Sequence, residues 1–376
     1  MSKRILVFVL FLLLAVGPAA GAQDAPIPQT LFLTYIPNVQ FAPVYVALEK
    51  GYFADAGIDL TVEHGDEPVG VDLIAAGQRQ FGIIGGEQVI AARVNARPVV
   101  SVYEWFQQFP IAVVTPSDSG ITTVEDLRGR RVGVPGRFGA SYSGVVALLA
   151  AHGMTEADIQ LEAIGFNAPE VICVGGVEAA VVYINNEPLQ IERRAQANDC
   201  GSVTGVTVIP VADSVQLVSN GLVTNEDTIA NQPELVRGMV AAYDGGVRDA
   251  INNPAEAYLL SANYVEGILP DDLRAALEAT AEAQAAWLAE NPDADREAVA
   301  ARNAEALAEL QSTLSPDMLL QYEVLLATAA LWDGDDIGMA SLEAWENTQN
   351  TLLTMGFIPA PLDDLSAAFT NDFLPE

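Results

Sequence analysis

The sequence predicts an α/β protein with two lobes, each a mixed, mostly parallel sheet flanked by helices. Three observations support this prediction. Strand-like and helix-like segments alternate in two successive series, which is typical of βαβ units. A chain of 376 residues, 51% of them hydrophobic, is long enough to bury two cores of ordinary size. From Pro233 onward the pattern becomes mostly helical, which predicts helices added to a sheet formed earlier in the chain.

The N-terminal residues 1–22 are predicted to be a signal peptide. A basic start at Lys3 is followed by an apolar run over Ile5–Gly17 and by the small residues Ala20 and Ala22, which fit a cleavage site. An apolar run of about 13 residues spans only ~20 Å as a helix, less than the ~30 Å of a bilayer core, which argues against a membrane anchor. We therefore expect an exported chain, soluble in the periplasm or another extracytoplasmic space after cleavage near Ala22.

The first part of lobe 1 is predicted over residues 23–114. Short apolar segments with strand composition alternate there with segments of helical spacing, and Gly51 and Gly77 end two of the helices. The predicted strands are Thr30–Thr34, Ile58–His64 and Phe81–Ile84, and the predicted helices are Ala42–Glu49, Val69–Ala76 and Glu87–Asn95.

Lobe 2 is predicted over residues 115–218, where the pattern restarts. Its strands are expected at Arg131–Val134, Ile159–Ile164, Ala179–Tyr183 and Val206–Pro210, with a helix at Ser141–His152. The chain is expected to cross between the lobes near Ala112–Thr115 and Val215–Val223, which form a two-stranded hinge.

Residues 219–376 are predicted to complete lobe 1, mostly as helices. These are expected at Glu234–Asn252, Pro254–Tyr264 and Asp271–Ala289, and from Ala298 onward. The helical stretch at 268–312 is a local elaboration whose role the sequence does not define. Its heptads are irregular, so helices packed on the first lobe are favoured over a coiled coil.

The charge of the chain limits its partners. Fifty acidic against seventeen basic residues give a formal net charge of −33. Such a field opposes binding to nucleic acid or to anionic lipid. A solvated acidic surface that keeps the protein soluble is sufficient to explain it.

Cys173 and Cys200 are the only cysteines. An oxidising compartment favours a disulfide between them, and two separate buried thiols are the alternative. The sequence does not give the distance between their Cα atoms, on which the choice depends.

The sequence predicts no catalytic residues, no metal site and no cofactor. It has no phosphate-binding loop of the G-x-x-x-x-G-K-[ST] type, no H-E-x-x-H and no G-x-S-x-G. Its two histidines, His64 and His152, have no second histidine or cysteine at metal-ligand spacing. An enzymatic function is therefore not expected.

Loops that follow predicted strands are the candidate ligand-binding segments, because open α/β sheets bind ligands at the carboxyl ends of their strands. These loops are rich in aromatic and amide side chains, and Arg137 is the only basic residue among them. This inventory favours a flat, mostly uncharged heterocycle held between rings over a small anion. The predicted ligand-binding residues are Tyr35, Asn38, Phe41, Glu87, Gln88, Trp105, Phe138, Ser141, Tyr142, Tyr183, Asn186 and Glu187.

Several segments resemble the thiamine-precursor-binding family of ABC-importer solute-binding proteins, which is related to the thiamine-pyrimidine synthases. The resemblance is carried by Tyr35–Asn38, Ala42–Phe53, Val124–Gly129, Arg131–Gly136, Leu222–Asp227 and Phe369–Pro375. It implies a periplasmic-binding-protein-like (type II) clamshell that captures a small molecule as a monomer and delivers it to the transmembrane permease of an importer.

The resemblance also orders the candidate ligands. Pyrimidine binders of the family tend to have W-x-P-N-x-x-H-A-P in the first loop, where this chain has Tyr35 for the tryptophan and Phe41 for the histidine. The loss of that histidine leaves a more apolar aromatic site, and the chain also resembles the riboflavin-binding (RibY-type) branch. Riboflavin is therefore the first expectation, a thiamine-precursor pyrimidine the second, and a sulfonate or nitrate the third. Two rival classes are an enzyme like the pyrimidine synthases and a periplasmic sensor without a permease.

Overall fold

A computed structural model describes residues 25–375 of the chain, which fold into two lobes around two mixed sheets. The predicted signal peptide at residues 1–22 lies outside the described residues. In the described range, no helix is both long enough and apolar enough to cross a membrane.

Each lobe has one sheet of five strands within the described residues, and each sheet has one strand that reverses direction. The first sheet has the order β2-β1-β3-β10-β4, and β10 runs antiparallel to both of its neighbours. The second has the order β7-β6-β8-β5-β9, and β5 runs antiparallel to both of its neighbours. The strands are β1 Ile27–Thr34, β2 Ile58–Gly65, β3 Phe81–Gly85, β4 Val99–Glu104, β5 Ile111–Pro116, β6 Arg131–Val134, β7 Gln160–Ala163, β8 Ala179–Tyr183, β9 Val206–Pro210 and β10 Asn220–Asn225.

Helices cover both faces of the sheets, which explains why the central strands are continuous apolar runs. Asn225 and Asp295 cap two of the helices, since their side chains accept the backbone N–H groups of Thr228 and Ala298 at 2.8 and 2.9 Å. The helices are α1 Ala42–Glu49, α2 Tyr52–Asp55, α3 Glu67–Ala75, α4 Gly86–Val94, α5 Gly139–Ala151, α6 Ala168–Cys173, α7 Glu187–Gln196, α8 Glu226–Asn231, α9 Pro233–Asn252, α10 Pro254–Ser261, α11 Asp271–Glu290, α12 Arg296–Gln311, α13 Pro316–Trp332 and α14 Leu342–Thr354.

The chain crosses between the lobes twice, and the first crossing lies earlier than predicted. It runs over residues 105–110, between β4 and β5, and the second runs over residues 211–219, between β9 and β10. The predicted crossing at Ala112–Thr115 and the boundary at residue 114 are wrong, because Ala112 pairs with Val182 and Pro210 inside the second sheet. An apolar strand does not encode which of two sheets it joins, since that depends on partners distant in sequence.

The elaboration at 268–312 forms α11 and α12, which pack on the first lobe. Leu273, Leu277 and Leu310 are buried in the same core as the central strands of the first sheet. Gln284 donates a hydrogen bond to the carbonyl oxygen of Asn252 at 2.9 Å, which ties α11 to the end of α9. This confirms packed helices over a coiled coil.

A disulfide joins Cys173 and Cys200 in the second lobe, with their Cα atoms 4.3 Å apart. It lies in a buried cluster with Ile172, Ala180 and Val182. The expectation of a bridge, rather than of two separate thiols, is therefore confirmed.

Candidate functional site

A cavity of about 260 Å³ lies between the two lobes and is lined by residues of both. The first lobe contributes the loop after β1, the end of β2 and the crossing that follows β4. The second contributes the turns after β6, β7 and β8. All of these except the crossing lie at the carboxyl ends of parallel strands, where α/β sheets bind ligands.

One wall of the cavity is aromatic and belongs to the first lobe. The rings of Phe41 and Trp105 stack with centroids 5.7 Å apart, and Phe106 packs on Trp105 at 4.7 Å. Behind them Trp332 stacks on Trp105 at 5.6 Å, which fixes the plane of the indole. Phe41, Trp105 and Phe106 are each at most 4% exposed. The wall is therefore a rigid part of the first-lobe core.

Tyr35 leaves β1 in a left-handed backbone conformation, with φ of 85°. A bulky residue rarely adopts this conformation, and its cost is of the order of 1–3 kcal/mol. Two hydrogen bonds hold it: Tyr35 N–H donates to the carbonyl of Gly65 at 3.2 Å, and Nδ1–H of His64 donates to the carbonyl of Tyr35 at 3.0 Å. Burial lowers the pKa of His64, which favours the neutral ring with Nε2 free to accept. This left-handed conformation places the ring of Tyr35 in the lining of the cleft.

The second lobe faces this wall with more exposed rings. Phe166, after β7, contacts Tyr35 edge-on across the cleft, with centroids 4.9 Å apart. Phe138, before α5, also lines the cavity. Phe166 and Phe138 are 49% and 37% exposed, so packing constrains them much less than it constrains the rings of the first-lobe wall.

Buried carboxyl groups form the polar part of the lining. Glu67 begins α3, and its Oε1 accepts the N–H of Gly85 at 2.7 Å. Glu187 begins α7, and its Oε2 accepts the N–H of Tyr183 at 3.0 Å. Burial raises the pKa of each carboxyl to about 7. Both groups are therefore fully ionised only above neutral pH.

Tyr183 links the two lobes beside the cavity. Its hydroxyl donates to Oδ1 of Asn220, the first residue of β10, at 3.0 Å. Burial, and then the charge of Glu67, raise the pKa of this hydroxyl well above its ordinary value. Farther from the cavity, Arg193 of α7 pairs with Glu323 of α13 at 2.7 Å. The two lobes are therefore in direct contact beside the cavity.

Eight of the twelve predicted ligand-binding residues line this cavity. They come from both lobes and include most of the predicted rings. The eight are Tyr35, Phe41, Trp105, Phe138, Ser141, Tyr183, Asn186 and Glu187.

The other four predicted residues do not line it, for local reasons. Asn38 accepts the N–H of Gln40 at 3.0 Å and so caps the turn before α1. Glu87 and Gln88 lie in α4 and line a separate, smaller pocket beside Phe138, and burial followed by the charge of Glu67 raises the pKa of Glu87 well above its ordinary value. Tyr142 donates to Glu156 at 2.9 Å on the outer side of α5.

Sequence reasoning missed several lining residues. His64 lies at the end of β2, Glu67 follows that strand, and Phe166 follows β7, so their position at or just after a strand end was a usable signal. Phe106 directly follows Trp105, which was among the predicted ligand-binding residues. Asn220 begins a strand rather than following one, and only the antiparallel insertion of β10 brings it to the cavity.

Comparison with known proteins identifies the family. A family model described as NMT1/THI5 like matches residues 38–257. The chain belongs to the NMT1/THI5-like family. It is 32% identical over 367 residues to the riboflavin-binding protein RibY of Chloroflexus aurantiacus. The alignment covers 96% of this chain and 89% of the relative. The resemblance predicted from the sequence motifs is thereby confirmed.

Other members of the NMT1/THI5-like family have enzymatic names. The chain is 26% identical over 234 residues to 4-amino-5-hydroxymethyl-2-methylpyrimidine phosphate synthase of Legionella pneumophila, covering 61% of this chain and 72% of that one. Among solved structures, the alkanesulfonate-binding protein SsuA of Xanthomonas axonopodis bound to MOPS superimposes with a TM-score of 0.61 at 13% identity, over 92% of this chain and 99% of that one. This likeness confirms the two-lobed, periplasmic-binding-protein-like fold.

Proposed function

We propose that this protein is the exported solute-binding component of an ABC importer and that its ligand is riboflavin. The observation that carries the proposal is the cavity itself: the stacked wall of Phe41 and Trp105 lines the same cleft as Tyr35 and Phe166. Offset and edge-to-face contacts of this kind stabilise a flat aromatic ligand. The 32% identity to a riboflavin-binding protein over most of both chains supports the same ligand.

The polar lining suits the rest of such a ligand. Asn186, Asn220 and Ser141 offer amide and hydroxyl groups, and Glu67 and Glu187 offer acceptors. A ring edge with N–H and C=O groups, joined to a hydroxylated chain, presents donors and acceptors to all of them. The aromatic wall would hold the ring, and the polar groups would fix its orientation.

A thiamine-precursor pyrimidine is the second candidate. It is favoured by the relatives named as pyrimidine phosphate synthases, and a pyrimidine also stacks on tryptophan. A sulfonate or nitrate fits less well, because none of the described residues that line the cavity is a lysine or an arginine.

Capture rather than catalysis is proposed for this site. The ligand would bridge the aromatic wall of the first lobe and the polar turns of the second, and it would thereby favour the closed form. The closed monomer would then dock on the transmembrane permease, which reads the relative position of the lobes.

Calorimetric titration of the purified mature chain tests the proposal. Riboflavin, 4-amino-5-hydroxymethyl-2-methylpyrimidine and an alkanesulfonate are titrated separately at one pH and salt concentration. We expect a 1:1 complex with riboflavin and at least tenfold weaker binding of the other two. Binding of the pyrimidine, with no heat change on addition of riboflavin, would contradict the riboflavin proposal and support the pyrimidine as the ligand.

A further inference from the structure

The charged residues of the cavity lining are all acidic. Asp66, Glu67 and Glu187 line it, and no lysine or arginine does so within the part of the chain that the structure describes. Arg137, which follows β6, does not line the cavity; its side chain is about half exposed and pairs with Glu156. A ligand in this cavity therefore meets negative charge without a compensating cation.

Glu67 also occupies the place where a bound anion would be stabilised. Its Oε1 accepts the N–H of Gly85, at the N-terminus of α4 in the first lobe. Its Oε2 faces the N-terminus of α5 in the second lobe so closely that a Cβ on Gly139 would lie 2.9 Å away. Helix N-termini are favourable sites for phosphate because of their free N–H groups and the helix dipole. Here the protein's own carboxylate fills that position.

We propose that Glu67 and Glu187 are specificity-determining residues that make the cleft accept an unphosphorylated ligand and reject its phosphate ester. The inference deepens the proposed capture of riboflavin and rests on it. A phosphate ester carries a charge of about −2 above neutral pH, where Glu67 and Glu187 are ionised as well, and it would be enclosed beside two carboxylates of the same sign. A free hydroxyl instead donates a charge-assisted hydrogen bond to either carboxylate.

The contrast with the enzymatic relatives adds to the argument. The relatives named as synthases are named for a pyrimidine phosphate, so phosphorylated compounds occur as products within this family. A binding protein for the unphosphorylated vitamin needs the opposite preference. Carboxyl groups in the cavity lining provide this preference for the unphosphorylated ligand without any change of fold.

The experiment compares riboflavin with riboflavin 5′-phosphate at pH 8, where both carboxyls are ionised. Dissociation constants are measured for the wild-type chain and for the Glu67→Gln and Glu187→Gln variants. Glu234→Gln is the matched control, because this carboxylate is 87% exposed and lies outside the cavity. Thermal unfolding of each variant shows that it is folded.

We expect the wild-type chain to bind the phosphate ester about 100-fold more weakly than riboflavin. Glu67→Gln and Glu187→Gln should each reduce this ratio by about tenfold, mainly through tighter binding of the ester. Glu234→Gln should leave it unchanged. Equal binding of ester and riboflavin by the wild-type chain would overturn the inference, as would an unchanged ratio in both cavity variants.

A second ligand pair separates this inference from the proposed function. If neither flavin binds, the riboflavin proposal fails. The same ratio is then measured with 4-amino-5-hydroxymethyl-2-methylpyrimidine and its phosphate. A strong preference for the free alcohol that Glu67→Gln weakens supports the selectivity, and the absence of such a preference refutes it.

Discussion

The two lobes bring aromatic rings to the same cavity in different states. In the first lobe, Phe41 and Trp105 are at most 4% exposed and packed against a large core. In the second, Phe138 and Phe166 are 37% and 49% exposed. The first lobe therefore presents a binding wall that is packed into its own core, whereas the rings of the second lobe are partly exposed and available to pack on a ligand. Affinity should depend on the first lobe and residence time on the second.

The lobes also differ in what stabilises them. The first lobe has a buried core that extends through α9, α10 and α13, and the second has smaller clusters and the disulfide. A small core benefits more from a covalent link. The predictions that follow test these two contrasts, beginning with the largest expected effect.

Removal of the disulfide should destabilise the second lobe. The double substitution Cys173→Ser and Cys200→Ser opens a loop with a sequence separation of 27 residues, worth about 3–4 kcal/mol of unfolding free energy in the chain-entropy model. Denaturant unfolding should show a second-lobe transition at lower denaturant, with the first-lobe transition unchanged. Equal destabilisation of both lobes would contradict the contrast.

Glu104, the last residue of β4, should make first-lobe stability depend on pH. Burial raises the pKa of this carboxyl to about 8, and its Oε2 has no hydrogen-bond partner among the described residues. The folded chain therefore binds this proton more tightly than the unfolded chain does. The resulting contribution of Glu104 to the free energy of unfolding is fully present below pH 4.5 and is lost as the pH rises to 8. Glu104→Gln should stabilise the protein by about 2 kcal/mol at pH 8 and little at pH 4.5.

Denaturant unfolding at both pH values measures this effect, with the exposed Glu234→Gln as the control. In the Glu104→Gln variant the free energy of unfolding should still fall as the pH rises, but by less than in the wild-type chain. This remaining dependence comes from Glu67 and Glu187, whose pKa values are raised to about 7. Equal effects of Glu104→Gln at both pH values would contradict the assignment.

Trp105→Leu should weaken ligand binding by about 2 kcal/mol, or about 30-fold in the dissociation constant, because it removes the indole on which Phe41 stacks and so disrupts the aromatic wall. Trp345→Leu is the control, since Trp345 is equally buried but stacks on Phe369 in a separate cluster. Both variants should lose about 2–4 kcal/mol of unfolding free energy. Equal affinity losses in the two variants would show that stability, and not stacking, controls binding.

Phe166→Ala should have the smallest effect, and it should act on the rate of release. The ring is half exposed and contacts Tyr35 only at its edge. We expect the dissociation rate to rise about 3- to 10-fold with little change in the association rate. Stopped-flow fluorescence measures both rates, with Leu342→Ala, also half exposed, as the control. A slower association rate instead would place Phe166 in the entry step.

The sequence predicted the local elements well because their signals are local. Arg131–Val134 and Ala179–Tyr183 are found with the predicted bounds, since each is a short, mostly apolar segment between turn residues. The sheet joined by β5 was missed, because antiparallel insertion is decided by partners far along the chain. Glu67 was missed for a similar reason. Its position after β2 was a usable signal, but its approach to Gly139 of the other lobe depends on the fold and is not visible in the sequence.

The most direct test of the proposed aromatic capture is the emission of riboflavin during titration with the protein. Stacking on the wall of Phe41 and Trp105 should quench the flavin, reaching a plateau at one equivalent of protein, and Trp105→Leu should shift the plateau to much higher protein concentrations. Emission that stays unchanged with excess wild-type protein would contradict the proposal that this cleft binds a flavin.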